Sequence, residues 1–276
     1  MLMMAAGVAA EYPDVVDFIY SYAPDDDLDF DYRVNSFTMS PDGRYISASD
    51  ISYSTDEIDQ WTLTTPYDIS TAVRGASYYI GTLSDNPYAS TYDDTGDQLF
   101  VASLLSNPGV QTYDLSIPYT GAPTATTRNL DLTGVVDYAR NVAFSADGMV
   151  MFVLCNLTAN QTTSSIAVYY LSTPWDLSTT ASGNNYDQVF QMATNDLMSA
   201  ISLSPDGKKL AIAGYTTQTL RQWNLSEAWD LSSRTEVASL PTSPIAEPIG
   251  FHIDWVAKKL YILNFIGTHA IHELGV

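Results

Sequence analysis

The residues able to do chemistry are few. Three histidines, His252, His269 and His272, fall near the C-terminal end. His269 and His272 have H-x-x-H spacing, but on a strand side chains three apart face opposite sides, so shared metal ligation is not expected of them. His272 lines up with Trp61 and Trp223 of earlier segments and reads as a packing residue. The acidic run DDDLDFD sets Asp25, Asp27, Asp29 and Asp31 at alternate positions. Carboxylate oxygens are what calcium takes, so these four are the calcium candidates. The run lacks the glycine turn and bidentate glutamate of a calcium hand, however, and reads first as a solvated acidic loop. No other cofactor is expected. The single cysteine, Cys155, sits in the apolar run MVMFVLC and reads as a small buried hydrophobe.

No nucleophile is visible beside a base. The chain has no G-x-S-x-G elbow, no H-E-x-x-H, no paired Cys-x-x-Cys and no phosphate-cradling glycine loop. With 32 Asp and Glu, no pair stands out for glycoside hydrolysis, and no catalytic residue is assigned. The sequons at Asn156, Asn160 and Asn224 would carry glycans only in a eukaryotic secretory route.

Composition narrows the partners. Acidic residues outnumber the 11 basic ones by enough to give a net charge of −21, a field that repels nucleic acid and anionic membrane surfaces. No apolar run approaches the roughly 20 residues needed to span a bilayer. A 46% hydrophobic content is that of a folded chain with a buried core. Residues 1–14, opening MLMMAAGVAA, lack the positive start of a secretory signal and read as an apolar arm held by the domain or by a neighbouring subunit.

The scaffold that positions these residues repeats. SPDGRYISAS (40–49), DDTGDQLFVA (93–102), SADGMVMFVL (145–154) and SPDGKKLAIA (204–213) share a turn whose glycines, Gly43, Gly96, Gly148 and Gly207, are 53, 52 and 59 residues apart; DWVAKKLYIL (254–263) is a degenerate fifth copy. In step with it run LTTPYDISTA (63–72), LSIPYTGAPT (115–124), LSTPWDLSTT (171–180) and LSEAWDLSSR (225–234), each opening on an anchor leucine, Leu63, Leu115, Leu171 and Leu225, with Leu274 read as the anchor of the last unit. A period of about 50 residues is that of propeller blades. Each unit reads as four short strands, the first two joined by the Pro-Asp-Gly-type turn. We therefore expect an all-β fold, a β-propeller of five four-stranded antiparallel blades over residues 15–276. The repeats lie near 34–83, 87–132, 139–193, 197–240 and 247–276, and a strand at 15–23 closes the ring by completing the last blade. In the PWDLS-like segments Tyr67, Tyr119, Trp175 and Trp229 read as packing residues, with Asp and Ser satisfying turn amides.

The SPDG hairpin followed by an aromatic third strand resembles the lactonase-like and WD-like propeller repeats. With strands ending in STPWDLST, the chain is similar to propeller proteins recurrent in bacteriophages and marine bacteria, often virion structural or surface proteins. That resemblance implies a non-enzymatic structural or adhesion component of a virion, such as a capsid decoration or a tail- or fibre-associated propeller. Its implied partners are other virion proteins, copies of itself and a host-surface glycan; its implied location is the virion, with an extracellular protein as the alternative. A carbohydrate-binding propeller and a lactonase-like or glycosidase-like enzyme stay open, because this fold hosts all three.

Overall fold

A computed structural model of the chain describes residues 12, 28–30, 34–52, 55–80, 87–103, 108–157, 160–181, 183–192, 196–242, 245, 248–256, 258–264 and 269–275. Among them the regular elements are strands and three single-turn 3-10 helices, and no helix is long and apolar enough to cross a membrane. After β1 (Leu28–Phe30), the first sheet runs β2 (Val34–Met39), β3 (Tyr45–Ser52), β4 (Thr55–Leu63) and β5 (Ala72–Tyr79). The second runs β6 (Pro87–Tyr92), β7 (Gln98–Ser103) and β8 (Gly109–Leu115), with an outer strand broken into β9 (Pro123–Ala125) and β10 (Leu130–Asp131), both paired with β8. Between those two pieces Asn129 takes over the ladder, its side-chain oxygen accepting from the Thr112 amide at 2.9 Å.

The third sheet comprises β11 (Val136–Phe144), β12 (Val150–Leu157), β13 (Asn160–Tyr170) and β14 (Gln188–Gln191). The fourth comprises β15 (Met198–Leu203), β16 (Lys209–Gly214), β17 (Thr219–Leu225) and β18 (Arg234–Pro241). The fifth holds β19 (Pro248–Asp254), β20 (Lys259–Asn264) and β21 (His269–Gly275), and β1 completes it. These five antiparallel sheets are the blades of a five-bladed β-propeller closed by an N-terminal strand.

Apolar clusters glue neighbouring blades together. Phe152 and Leu154 of β12 meet Met198, Leu210 and Trp223 of the fourth blade, and Val34 and Phe37 of β2 meet Leu263 and Ile271 of the fifth. Burial of such side chains, at roughly 25 cal/mol per Å² of apolar surface, is what holds the ring. Cys155 belongs to the cluster between the second and third blades; it is fully buried, and burial pushes its thiol up to about 12, so it stays an inert hydrophobe at neutral pH.

Two expectations are corrected. The strand that closes the ring is Leu28–Phe30, antiparallel to β21 with Leu28 opposite Ile271 and Phe30 opposite His269, rather than 15–23, which lies outside the described residues. Leu-Asp-Phe is hidden in sequence by its aspartate neighbours, which disfavour strands; an open blade edge outweighs that weak propensity. Asp29 is thus a strand residue and not part of a loop, while Asp25, Asp27 and Asp31 lie outside the described residues.

The second correction concerns His272. It pairs with Ile262 as Arg221 pairs with Ile212 and Asp59 with Ala48. The position of Trp61 and Trp223, opposite Ile46 and Leu210, belongs in the fifth blade to Leu274, opposite Leu260. Leu274 is therefore not the anchor leucine; that place falls one residue after β21, outside the described residues.

Candidate functional site

The hairpin turns fix where each inner strand stops. In the first, third and fourth blades a buried serine caps the turn: Ser40, Ser145 and Ser204 accept from the amides of Tyr45 (3.0 Å), Val150 (2.9 Å) and Lys209 (2.8 Å). Each serine hydroxyl donates at 2.6 Å to the turn aspartate two residues on, Asp42, Asp147 or Asp206. In the second and fifth blades a carboxylate holds the serine's place. Asp93 accepts from the Gln98 amide at 3.1 Å, and Asp254 from the Val256 amide at 2.8 Å.

The four repeat aromatics lock these turns from outside. Tyr67, Tyr119, Trp175 and Trp229 all have φ of +61 to +65°, a left-handed conformation that bulky residues avoid unless packing compels it. Their amides donate to the carbonyls of Gly43, Gly96, Gly148 and Gly207 at 2.8–3.0 Å, and their rings cover those glycines. The aspartate after three of them, Asp68, Asp176 and Asp230, then caps a 3-10 turn, accepting from Ser70, Ser178 and Ser232 amides. The PWDLS segment is thus a clasp between one connection and one hairpin.

With the turns set, the inner strands of all five blades converge on a central cavity of about 400 Å³. Two residues before each turn cap stand Thr38, Thr91, Ala143, Ser202 and His252, one per blade, and all five line the cavity. Asp93 and Asp254 line it as well, with aromatic surface from Tyr92, Phe144 and Trp255. Trp255 Nε1 donates to Ser202 Oγ at 3.3 Å, which leaves that hydroxyl's proton available to an acceptor. Burial holds the Asp93 carboxyl above the usual carboxylate range. Burial also pulls His252 down to about 4, against the opposing pull of the nearby Asp254 carboxylate, so its imidazole is neutral at pH 7 and can accept a proton.

The lining contains no Lys or Arg among the described residues. Together with the two carboxylates this makes the cavity suited to neutral polar ligands and hostile to phosphates.

His252 gives a pH prediction. In the unfolded chain it takes up a proton near pH 6.5, in the fold only near 4, so between those values the unfolded state binds more protons and stability falls as the pH falls. His252→Gln should flatten that part of the stability–pH curve, by at most about 3 kcal/mol over the window. Denaturant melts at pH 7, 5.5 and 4.5 check this; parallel curves for the two proteins would contradict it.

In the sequence His252 stands out only as one of three histidines, and Asp93 only as the first residue of the DDTG copy of the repeated turn. The ring was legible in one way only, by aligning all five units on the turn cap and reading two residues back. His269 lies on β21 opposite Phe30; the repeat glycines sit on the turns, and of the repeat aromatics Tyr67 alone among the described residues also lines the cavity. Asn156, one of the three sequons, is fully buried, with its oxygen accepting from Arg140 Nε at 2.8 Å.

No family model and no curated protein matches the chain. Solved propellers do resemble it in structure. A putative 6-phosphogluconolactonase from Bacteroides fragilis superposes with a TM-score of 0.52 at 12% identity, over 88% of this chain and 67% of that one. The periplasmic gluconolactonase of Pseudomonas aeruginosa gives 0.51 at 14% identity, over 83% and 78%. A putative 6-phosphogluconolactonase from Bacteroides uniformis gives 0.51 at 13%, over 83% and 77%. At such identities the likeness is one of fold, the β-propeller.

Proposed function

We propose that this chain is a non-enzymatic binding propeller, a structural or adhesion component of a bacteriophage virion that engages its neighbours through the outer strands of its blades. The observation that carries the reading is the rim. β5 and β18 are eight-residue edge strands, and Val73, Tyr79 and Val237 on them are 58%, 60% and 47% exposed. An edge strand offers a row of backbone donors and acceptors to another chain, and apolar side chains among them give that chain something to bury. The virion as location, and virion proteins, further copies or a host-surface glycan as partners, rest on the sequence resemblance of the SPDG and STPWDLST repeats.

One observation favours a second reading, hydrolysis of a neutral lactone. His252 beside Asp254 offers the cavity a neutral imidazole as proton acceptor, a base that burial weakens, and gluconolactonase is the named activity of a protein sharing the fold. A phosphorylated lactone would meet Asp93 and Asp254 with no cation to balance its charge. The two readings separate in one assay, turnover of gluconolactone and of its 6-phosphate by the purified chain and by His252→Gln. The binding propeller predicts no turnover above buffer with either substrate. Turnover that His252→Gln lowers by about 100-fold or more, the lower end of the range for loss of a general base, would overturn it.

A further inference from the structure

At four of the five blade junctions the same contact recurs. The first residue of each second strand, five places after the turn cap, meets the clasp aromatic of the following blade. Lys259 Nζ donates to the Tyr67 carbonyl at 2.7 Å, and the Tyr45 ring stacks on Tyr119 with centroids 5.1 Å apart. The Gln98 amide, turned so that both its ends are satisfied, donates to the Trp175 carbonyl at 3.3 Å. Val150 and Trp229 pack on one apolar cluster. Two residues further along the strand, the facing side chain touches the same clasp: Phe100 lies 6.0 Å from Trp175 and Phe152 6.4 Å from Trp229, ring to ring, and the Tyr261 hydroxyl donates to the Tyr67 carbonyl at 2.7 Å.

At the fifth junction, between the fourth and fifth blades, no repeat aromatic of this kind stands among the described residues. The third and fourth strands of the fifth blade, β21 and β1, are the last and first of the described strands, and among the described residues no PWDLS-like segment joins them. The residue that waits there is Lys209, and its Nζ donates at 2.6 Å to the carbonyl of Tyr12. The facing side chain is the small Ala211, and Tyr12 packs against the cluster to which Ala211, Trp255 and Leu260 belong.

We propose that Tyr12 is the clasp of the junction between the fourth and fifth blades, filling the place that Tyr67, Tyr119, Trp175 and Trp229 fill at the other four junctions. The recognition chemistry is that of a Tyr- or Trp-bearing segment whose backbone carbonyl meets a lysine ammonium and whose ring covers apolar surface left open by Ala211. The N-terminal region then closes the ring twice, with the β1 edge and with the Tyr12 clasp.

The test uses the full chain. Tyr12→Ala should lower Tm by about 5 °C, Lys209→Met by less, and Tyr12→Trp should keep the wild-type Tm because tryptophan serves at two of the other junctions. Should Tyr12→Ala fail to fold, hydrogen exchange of wild type and Lys209→Met still decides. Exchange in Lys209→Met should quicken in residues 248–264 and stay unchanged in the second blade. An unchanged Tm in Tyr12→Ala, an equal loss in Tyr12→Trp, or exchange that quickens uniformly would overturn the proposal.

Discussion

Replacing Gly207 with valine should cost about 4 kcal/mol, enough to remove much of the stability of a typical domain. Two costs combine. At φ +68° a β-branched side chain is strained by roughly 1–3 kcal/mol. A Cβ there would also stand 2.4 Å from the Trp229 ring, so the clasp must lift off the hairpin, an overpacking cost of about 1–3 kcal/mol. Gly148→Val, whose added Cβ would meet Trp175 at the same 2.4 Å, should behave alike. Gly183→Ala and Gly134→Ala separate the two costs, because these glycines have φ of +62° and +81° with nothing within 4 Å of an added Cβ. They should lose only about 1 kcal/mol. Chemical denaturation of the four variants checks the pair of numbers. A Gly207→Val loss no larger than that of Gly183→Ala would mean that the aromatic clasp does not hold the turn.

The glycine spacing made the blades legible, because only the turn of a tight hairpin places glycine so regularly and the strands on either side alternate as they should. The ring's closure was less legible. Its strand is three residues long and flanked by aspartates, and nothing local marks Leu28–Phe30 as a strand; only the open edge of β21 selects it. His272 was misplaced because the last unit was aligned on the leucine near its end. Alignment on the turn, where backbone pairing begins, puts His272 level with Asp59 and Arg221. The cavity was hidden for a related reason. Thr38, Thr91 and Ser202 bring hydroxyls to places that Ala143 and His252 fill in the other two blades, so no single residue type marks the ring along the chain. Tyr12 is further still from any motif, since its counterpart contacts are made by residues on other connections.

The rim variants test the central claim most directly. Tyr79→Asp with Val237→Asp puts charges on the exposed faces of β5 and β18, where side chains touch no core, so Tm should move by no more than about 2 °C. Binding to partner proteins should fall far more, by about 30-fold or greater, since a buried tyrosine anchor at an interface is worth about 2 kcal/mol. The measurement is sedimentation of the purified chain, wild type and double variant, with proteins released from disrupted phage particles, at low and high salt. The wild type should sediment in complex and the double variant alone, both with the same melting curve. A wild type that stays alone in every mixture, or a double variant that sediments in complex as strongly as the wild type, would contradict a propeller that works through its outer strands.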